Sequence, residues 1–137
     1  MTTNTTSGKI LIAGKLAPGL AIHGYDAVAY FTQGEPTLGD ASHACVHLDG
    51  TYRFASKANL EAFKTNPGRH TPQFGGFCAY GVSLGMKLDG DPTKWRIVES
   101  KLYLNLDVAT QDQWTKDIPG NIEKAETQWL TLAEALL

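Results

Sequence analysis

The chain has 137 residues, 42% of them hydrophobic and 19% charged, with a formal charge of -2. That profile fits one folded domain with a real core, and it excludes a disordered chain or a nucleic-acid binder built on a basic run. Two cysteines, Cys45 and Cys78, are too few for a disulfide-rich scaffold or a four-cysteine zinc site.

Residues 1–20 read as an N-terminal tail and residues 21–137 as a single domain. The apolar stretch "ILIAGKLAPGLAI" is broken by Lys15 and Pro18 and falls short of the about 20 residues a membrane span needs. The preceding "MTTNTTSG" lacks the positive start of a signal peptide. A cytoplasmic location is expected, unless a leader has been removed.

Ala21–Phe31, "AIHGYDAVAYF", opens the domain. Gly24 and Asp26 suggest a turn, and Val28, Tyr30 and Phe31 suggest buried surface. "HACVHLDGTYRFAS" predicts a hairpin: Ala44, Val46 and Leu48 alternate with His43, Cys45 and His47, Asp49-Gly50 forms the turn, and Tyr52 and Phe54 resume the alternation. Ser56 is a natural N-cap for a helix over 57–65, which Asn66-Pro67 ends.

"FGGFCAYGVSLG" follows, with one or two helical turns expected from Cys78 to Leu84. "DGDP" reads as a loop. "WRIV" and "KLYLNL" predict two strands turning at Glu99-Ser100. Two helices, over 108–117 and 121–136, close the chain. In the second, Ile122, Ala125, Trp129, Leu132 and Leu136 recur at steps of three and four, a stripe that suits a core or a homodimer face. No internal repeat is visible in the residues. The expected class is α+β: a small antiparallel sheet of short strands, a central helix and C-terminal helices.

Cys78 is the first candidate for chemistry. Beside a helix N-terminus, unpaired N–H groups favour a thiolate, which is both a soft metal ligand and a nucleophile. Its competing role is that of a small core residue. A nucleophile also needs a base and an orienting group, and His23, His43, His47 and His70 lie in no recognised cysteine-protease signature. His43, Cys45 and His47 project to one face of a strand, roughly 6.7 Å apart in steps of two. They form a secondary metal candidate for zinc or copper, set against an ordinary solvated strand face. Asp89 and Asp91 read as turn formers.

In order along the chain, "HGYDAVAYF", "TYRFAS", "NPGRHTPQFGGFCAYGVS", "DGDPTKWRIV" and "KLYLNL" resemble the YHS domain family, in its stand-alone bacterial form. The resemblance implies a small α+β unit related to treble-clef modules, and the handling of soft metals such as copper. Of the site residues, only Cys78 of "GGFCAY" carries over. The opening "GYDAVAYF" lacks the cysteine found in pump-linked relatives. His70, Phe74 and Phe77 stand where tyrosines are usual.

The leading expectation is therefore a non-enzymatic module binding copper or zinc through Cys78 with His70 or His23. The alternative is a small-molecule or protein-interaction domain whose cleft is lined by Tyr25, Asp26, Tyr30, Phe31, Phe77 and Tyr80. Thiol redox or catalysis at Cys78 is a third. The partners expected are a metal ion or small molecule, and a second copy through the C-terminal helix, with no nucleic acid and no membrane.

Overall fold

Two bulged hairpins, each followed by a capped helix, organise the chain. The computed structural model describes residues 19–48 and 50–133. Strand β1 (Gly19–Leu20) leads into a 3-10 turn (Ala21–Gly24) and helix α1 (Ala29–Thr32). Next come β2 (Asp40–His47), β3 (Gly50–Phe54), α2 (Lys57–Thr65) and α3 (Pro67–His70). A second 3-10 turn (Gln73–Gly76) precedes α4 (Ala79–Ser83), β4 (Asp91–Val98), β5 (Lys101–Asn105), α5 (Val108–Thr115) and α6 (Ile118–Leu132). The expected α+β class is observed.

The predicted hairpins and the Ser56 cap are all present. The Ser56 hydroxyl accepts the Asn59 N–H at 3.1 Å. Glu99 and Ser100 turn the second hairpin with φ of 50° and 65°, the mirror-image turn that matches strand twist. The first turn lies partly outside the described residues, at Asp49. Gly19 and Leu20, assigned to the tail from sequence, instead pair in parallel with Gly50 and Thr51. They belong to a three-stranded sheet ordered β1-β3-β2.

The first hairpin buries the face that was expected to be solvated. Cys45 lies opposite Tyr52, and cross-strand partners share a face. Tyr52 and Phe54 are core residues, so His43, Cys45 and His47 turn inward and are half-buried. Val46 and Leu48 are left 69% and 64% exposed. The aromatic return strand decides the orientation, because burying two aromatic rings outweighs burying a valine and a leucine on an edge strand.

Contrary to the sequence reading, the chain contains an internal repeat, spaced by roughly 50 residues. Leu20 bridges Thr51 in parallel, as Pro72 bridges Leu102. Ile22-His23-Gly24 and Phe74-Gly75-Gly76 are both left-handed. The Asp26 N–H donates to the Thr37 carbonyl at 2.7 Å, as Cys78 N–H does to Leu88 at 2.8 Å. Asp40 accepts from both the N–H and the hydroxyl of Ser42, as Asp91 does from Thr93. Both hairpins carry a bulge just after that aspartate. Ser56 caps α2 as Asp107 caps α5. A Cβ on Gly39 or on Gly90 would collide with main chain, of Arg53 and of Gly76 respectively.

The two units share their cores. Ile22, Tyr30, Phe54 and Phe63 of the first pack with Leu102 and Leu104 of the second. A second cluster joins Phe74, Phe77, Val82, Tyr103, Trp114 and Ala125. The C-terminal stripe is spent inside the chain: Ala125 is buried, and Ile122, Trp129 and Leu132 pack on this second core. Leu136 lies outside the described residues. Helix α6 starts three residues earlier than predicted, because the Asp117 side chain caps it by accepting the Gly120 N–H at 3.1 Å.

Candidate functional site

Cys78 faces the core and has no solvent exposure. Its sulfur accepts the Gly81 N–H at 3.4 Å and donates to Asn105 Oδ1 at 3.5 Å. Asn105 is itself 1% exposed and takes the Tyr80 N–H at 3.1 Å on the same oxygen. That main-chain donor fixes the amide orientation, since a flipped amide would set N–H against N–H. Cys78 thus caps α4 from the position that Asp26 holds over α1. Asp26, fully buried, accepts from the Val28 and Ala29 N–H groups and, on its other oxygen, from Ala55 N–H and the Asn59 amide. Both residues serve as caps in equivalent places, so Asp26 joins secondary elements and does not line a cleft.

The histidines expected to join Cys78 have other partners. His70 is 7% exposed and stands edge-on to Phe31, with ring centroids 5.4 Å apart. Burial pushes its imidazole below the usual histidine range, against the opposing pull of the Asn66 main chain. His23 Nε2 lies 2.9 Å from both carboxyl oxygens of Asp89. It borders an open cleft of about 330 Å³ shared with Asp91 and Leu106. His23 reaches it from a left-handed backbone, φ 53°, next to Ile22 at φ 41°, a conformation costing about 1–2 kcal/mol per residue. Among the described residues, no group of three His, Cys, Asp or Glu side chains is placed to hold a metal ion. His43, Cys45 and His47 share a face as expected, but His47 turns its ring against Phe63 and Tyr52, at 5.8 and 6.3 Å. Burial pushes the Cys45 thiol up and the His47 imidazole down.

The aromatics expected to line one cleft are divided between the two cores. Tyr25, Tyr30 and Phe31 belong to the first, Phe77 and Tyr80 to the second. Tyr30 is buried, and its hydroxyl donates to the Pro92 carbonyl at 2.7 Å. A different aromatic cleft does exist, of about 250 Å³, where the first hairpin meets the second unit and α6. His47 and Tyr52 come from the hairpin, Phe74 and Gly75 from the second 3-10 turn, and Trp129 from α6. Phe74 and Trp129 meet at 5.8 Å and 65°, His47 and Tyr52 at 6.3 Å and 61°. Thr71 and Gln73 supply the remaining polar groups, and among the described residues no carboxylate, lysine or arginine lines it. Phe74 sits at φ 58°; a bulky residue held left-handed is strained.

Sequence reasoning named His47 here, but as a metal candidate, and it missed Tyr52, Thr71 and Gln73 as site residues. The available signal was Phe74 ahead of Gly75-Gly76, a left-handed turn carrying an aromatic ring. Comparison with known protein families, curated proteins and solved structures finds no match to this chain.

Proposed function

We propose that this protein is a small binding module whose ligand is a small organic molecule held in the His47–Tyr52–Phe74–Trp129 cleft. The observation that carries this reading is a concavity bordered by His47, Tyr52, Phe74 and Trp129, where the edges of the two aromatic cores come together. Clefts of this kind, mostly apolar with a few convergent polar groups, are the usual form of a ligand site, and this one is at the small end. The cleft offers an imidazole, a phenol, a hydroxyl and an amide, a set suited to recognition more than to bond cleavage.

This reading is preferred to soft-metal binding at Cys78, the expectation drawn from the YHS resemblance, because an ion could reach that thiol only by opening the core and displacing Asn105. The test is a fragment screen followed by protein-observed NMR. Hits should perturb the Gln73 side chain, the Gly75 amide and the Trp129 indole, and Trp129→Ala should abolish them. Hits confined to other surfaces would overturn the proposal. An anaerobic copper(I) titration whose response vanishes in Cys78→Ser would favour the metal instead.

A further inference from the structure

We infer that residues 9–16, "KILIAGKL", which precede the described part of the chain, dock in a groove between the second hairpin and α6. This groove is separate from the cleft proposed for the ligand, and the inference does not depend on that reading.

The groove has a volume of about 250 Å³ and an apolar floor: Val98, Ile118 and Ile122 line it, each half-buried against the second core. Its rim is acidic, with Glu99, Glu123 and Glu126 all exposed. Among the described residues no lysine or arginine lines it, and none of the three carboxylates makes an ion pair. Glu126 and Glu99 add to burial in pushing the Tyr103 phenol up, so the two carboxylates converge on one region. Like charges around accessible apolar surface suit a segment that is both cationic and apolar.

By the internal repeat, this groove is the counterpart of the His47–Trp129 cleft. Val98, Glu99 and Ile122 follow His47, Leu48 and Thr71 at the spacing that relates Tyr103 to Tyr52. In the first unit Trp129, from outside that unit, helps to fill the position. In the second, every described lining residue belongs to the hairpin or to α6.

Residues 9–16 match the groove in chemistry and in reach. Lys9 and Lys15 flank Ile10, Leu11 and Ile12, Leu16 follows, and no acidic residue occurs before Asp26. Strand β1 runs parallel to β3, with Gly19 beside Gly50, so the chain upstream of Gly19 leaves at the turn end of the first hairpin. Leu48 of that hairpin and Trp129 of α6 border one cleft. From Trp129 back to Ile122 along α6 is about 10 Å. The ten residues from Lys9 to Gly19 extend to about 33 Å. That is enough to pass the cleft and set Ile10, Leu11 and Ile12 in the groove, with Lys9 against the glutamates.

The test is carbodiimide cross-linking of the full chain, which joins a lysine to a carboxylate where the two are in contact. It is read by peptide mass spectrometry on an equal mixture of isotope-labelled and unlabelled protein. Lys9 or Lys15 should link to Glu99, Glu123 or Glu126 within a single chain. The yield should fall several-fold in about 1 M salt, where charges are felt over only about 3 Å. Ile10→Ser/Ile12→Ser keeps both lysines and should lose most of the links. Links joining a labelled to an unlabelled chain would assign the groove to a second copy and overturn docking within the chain. Links that survive unchanged in the serine variant would show a contact of charge alone and overturn docking in the groove. No link from either lysine, while an added amine labels the same glutamates, overturns the inference outright.

Discussion

Asp26→Ala is expected to be among the most destabilising single substitutions in this chain. The carboxyl group is fully buried and accepts four hydrogen bonds: Val28 N–H at 2.8 Å, Ala29 N–H at 3.1 Å, Ala55 N–H at 2.8 Å and Asn59 Nδ2 at 2.8 Å. Two of these donors, on Val28 and Ala29, are buried. Leaving a buried donor unsatisfied costs about 1–3 kcal/mol, and a hydrogen bond whose donor can still reach water contributes about 0.5–1.5 kcal/mol. The sum is a loss of roughly 3–9 kcal/mol, a large share of the about 5–15 kcal/mol that holds a typical domain together. Asp26→Asn keeps the shape and one acceptor. Its amide nitrogen would confront either the Val28–Ala29 pair or the Ala55–Asn59 pair. The Asn59 amide can rotate to offer its oxygen, so the second arrangement is the cheaper and the loss is smaller, roughly 1–3 kcal/mol. Urea unfolding followed by circular dichroism measures both, given unchanged slopes. If Asp26→Ala unfolds within about 1 kcal/mol of the parent, less than one unsatisfied buried donor accounts for, the reasoning about this network is wrong.

Two further outcomes concern residues first read as metal ligands. His70 is held below the usual histidine range by burial, so the unfolded chain takes up its proton first as pH falls. The stability contributed by neutral His70 is thus complete above about pH 6.5 and is lost progressively below it. Thermal unfolding between pH 7 and pH 5 should show this slope, and His70→Gln should flatten part of it; parallel curves for the two proteins would refute the assignment. Cys78, with no exposure, should react with a thiol reagent only through opening of the structure, so urea should accelerate labelling along with unfolding. Labelling of native Cys78 at the rate of a free cysteine in a peptide would put the thiol at the surface.

The local elements were largely legible from the residues. The strands in "HACVH" and "KLYLNL", the Ser56 cap, the Asn66-Pro67 stop and the stripe on α6 depend on neighbours in sequence, and all of them are present. What the residues hid was the repeat. Asp26 and Cys78 perform one capping task with different side chains, as do Ser56 and Asp107. Few positions are identical between units beyond Gly24 and Gly76, Ala27 and Ala79, Gly39 and Gly90, Asp40 and Asp91, and Tyr52 and Tyr103. Backbone hydrogen bonding preserves the geometry while the letters diverge, because any acceptor of suitable reach can cap a helix.

The candidate site shows the same division. Sequence alone determined that the chain would fold as α+β, that a cysteine would sit at a helix start, and that three polar residues would share a strand face. Only tertiary structure decided that this face turns inward, because Tyr52 and Phe54 on the partner strand claim the core. The same packing sealed Cys78 behind Asn105. It also brought Trp129 of α6 beside Phe74 and the first hairpin, a meeting of residues from three elements that no spacing within a single element encodes.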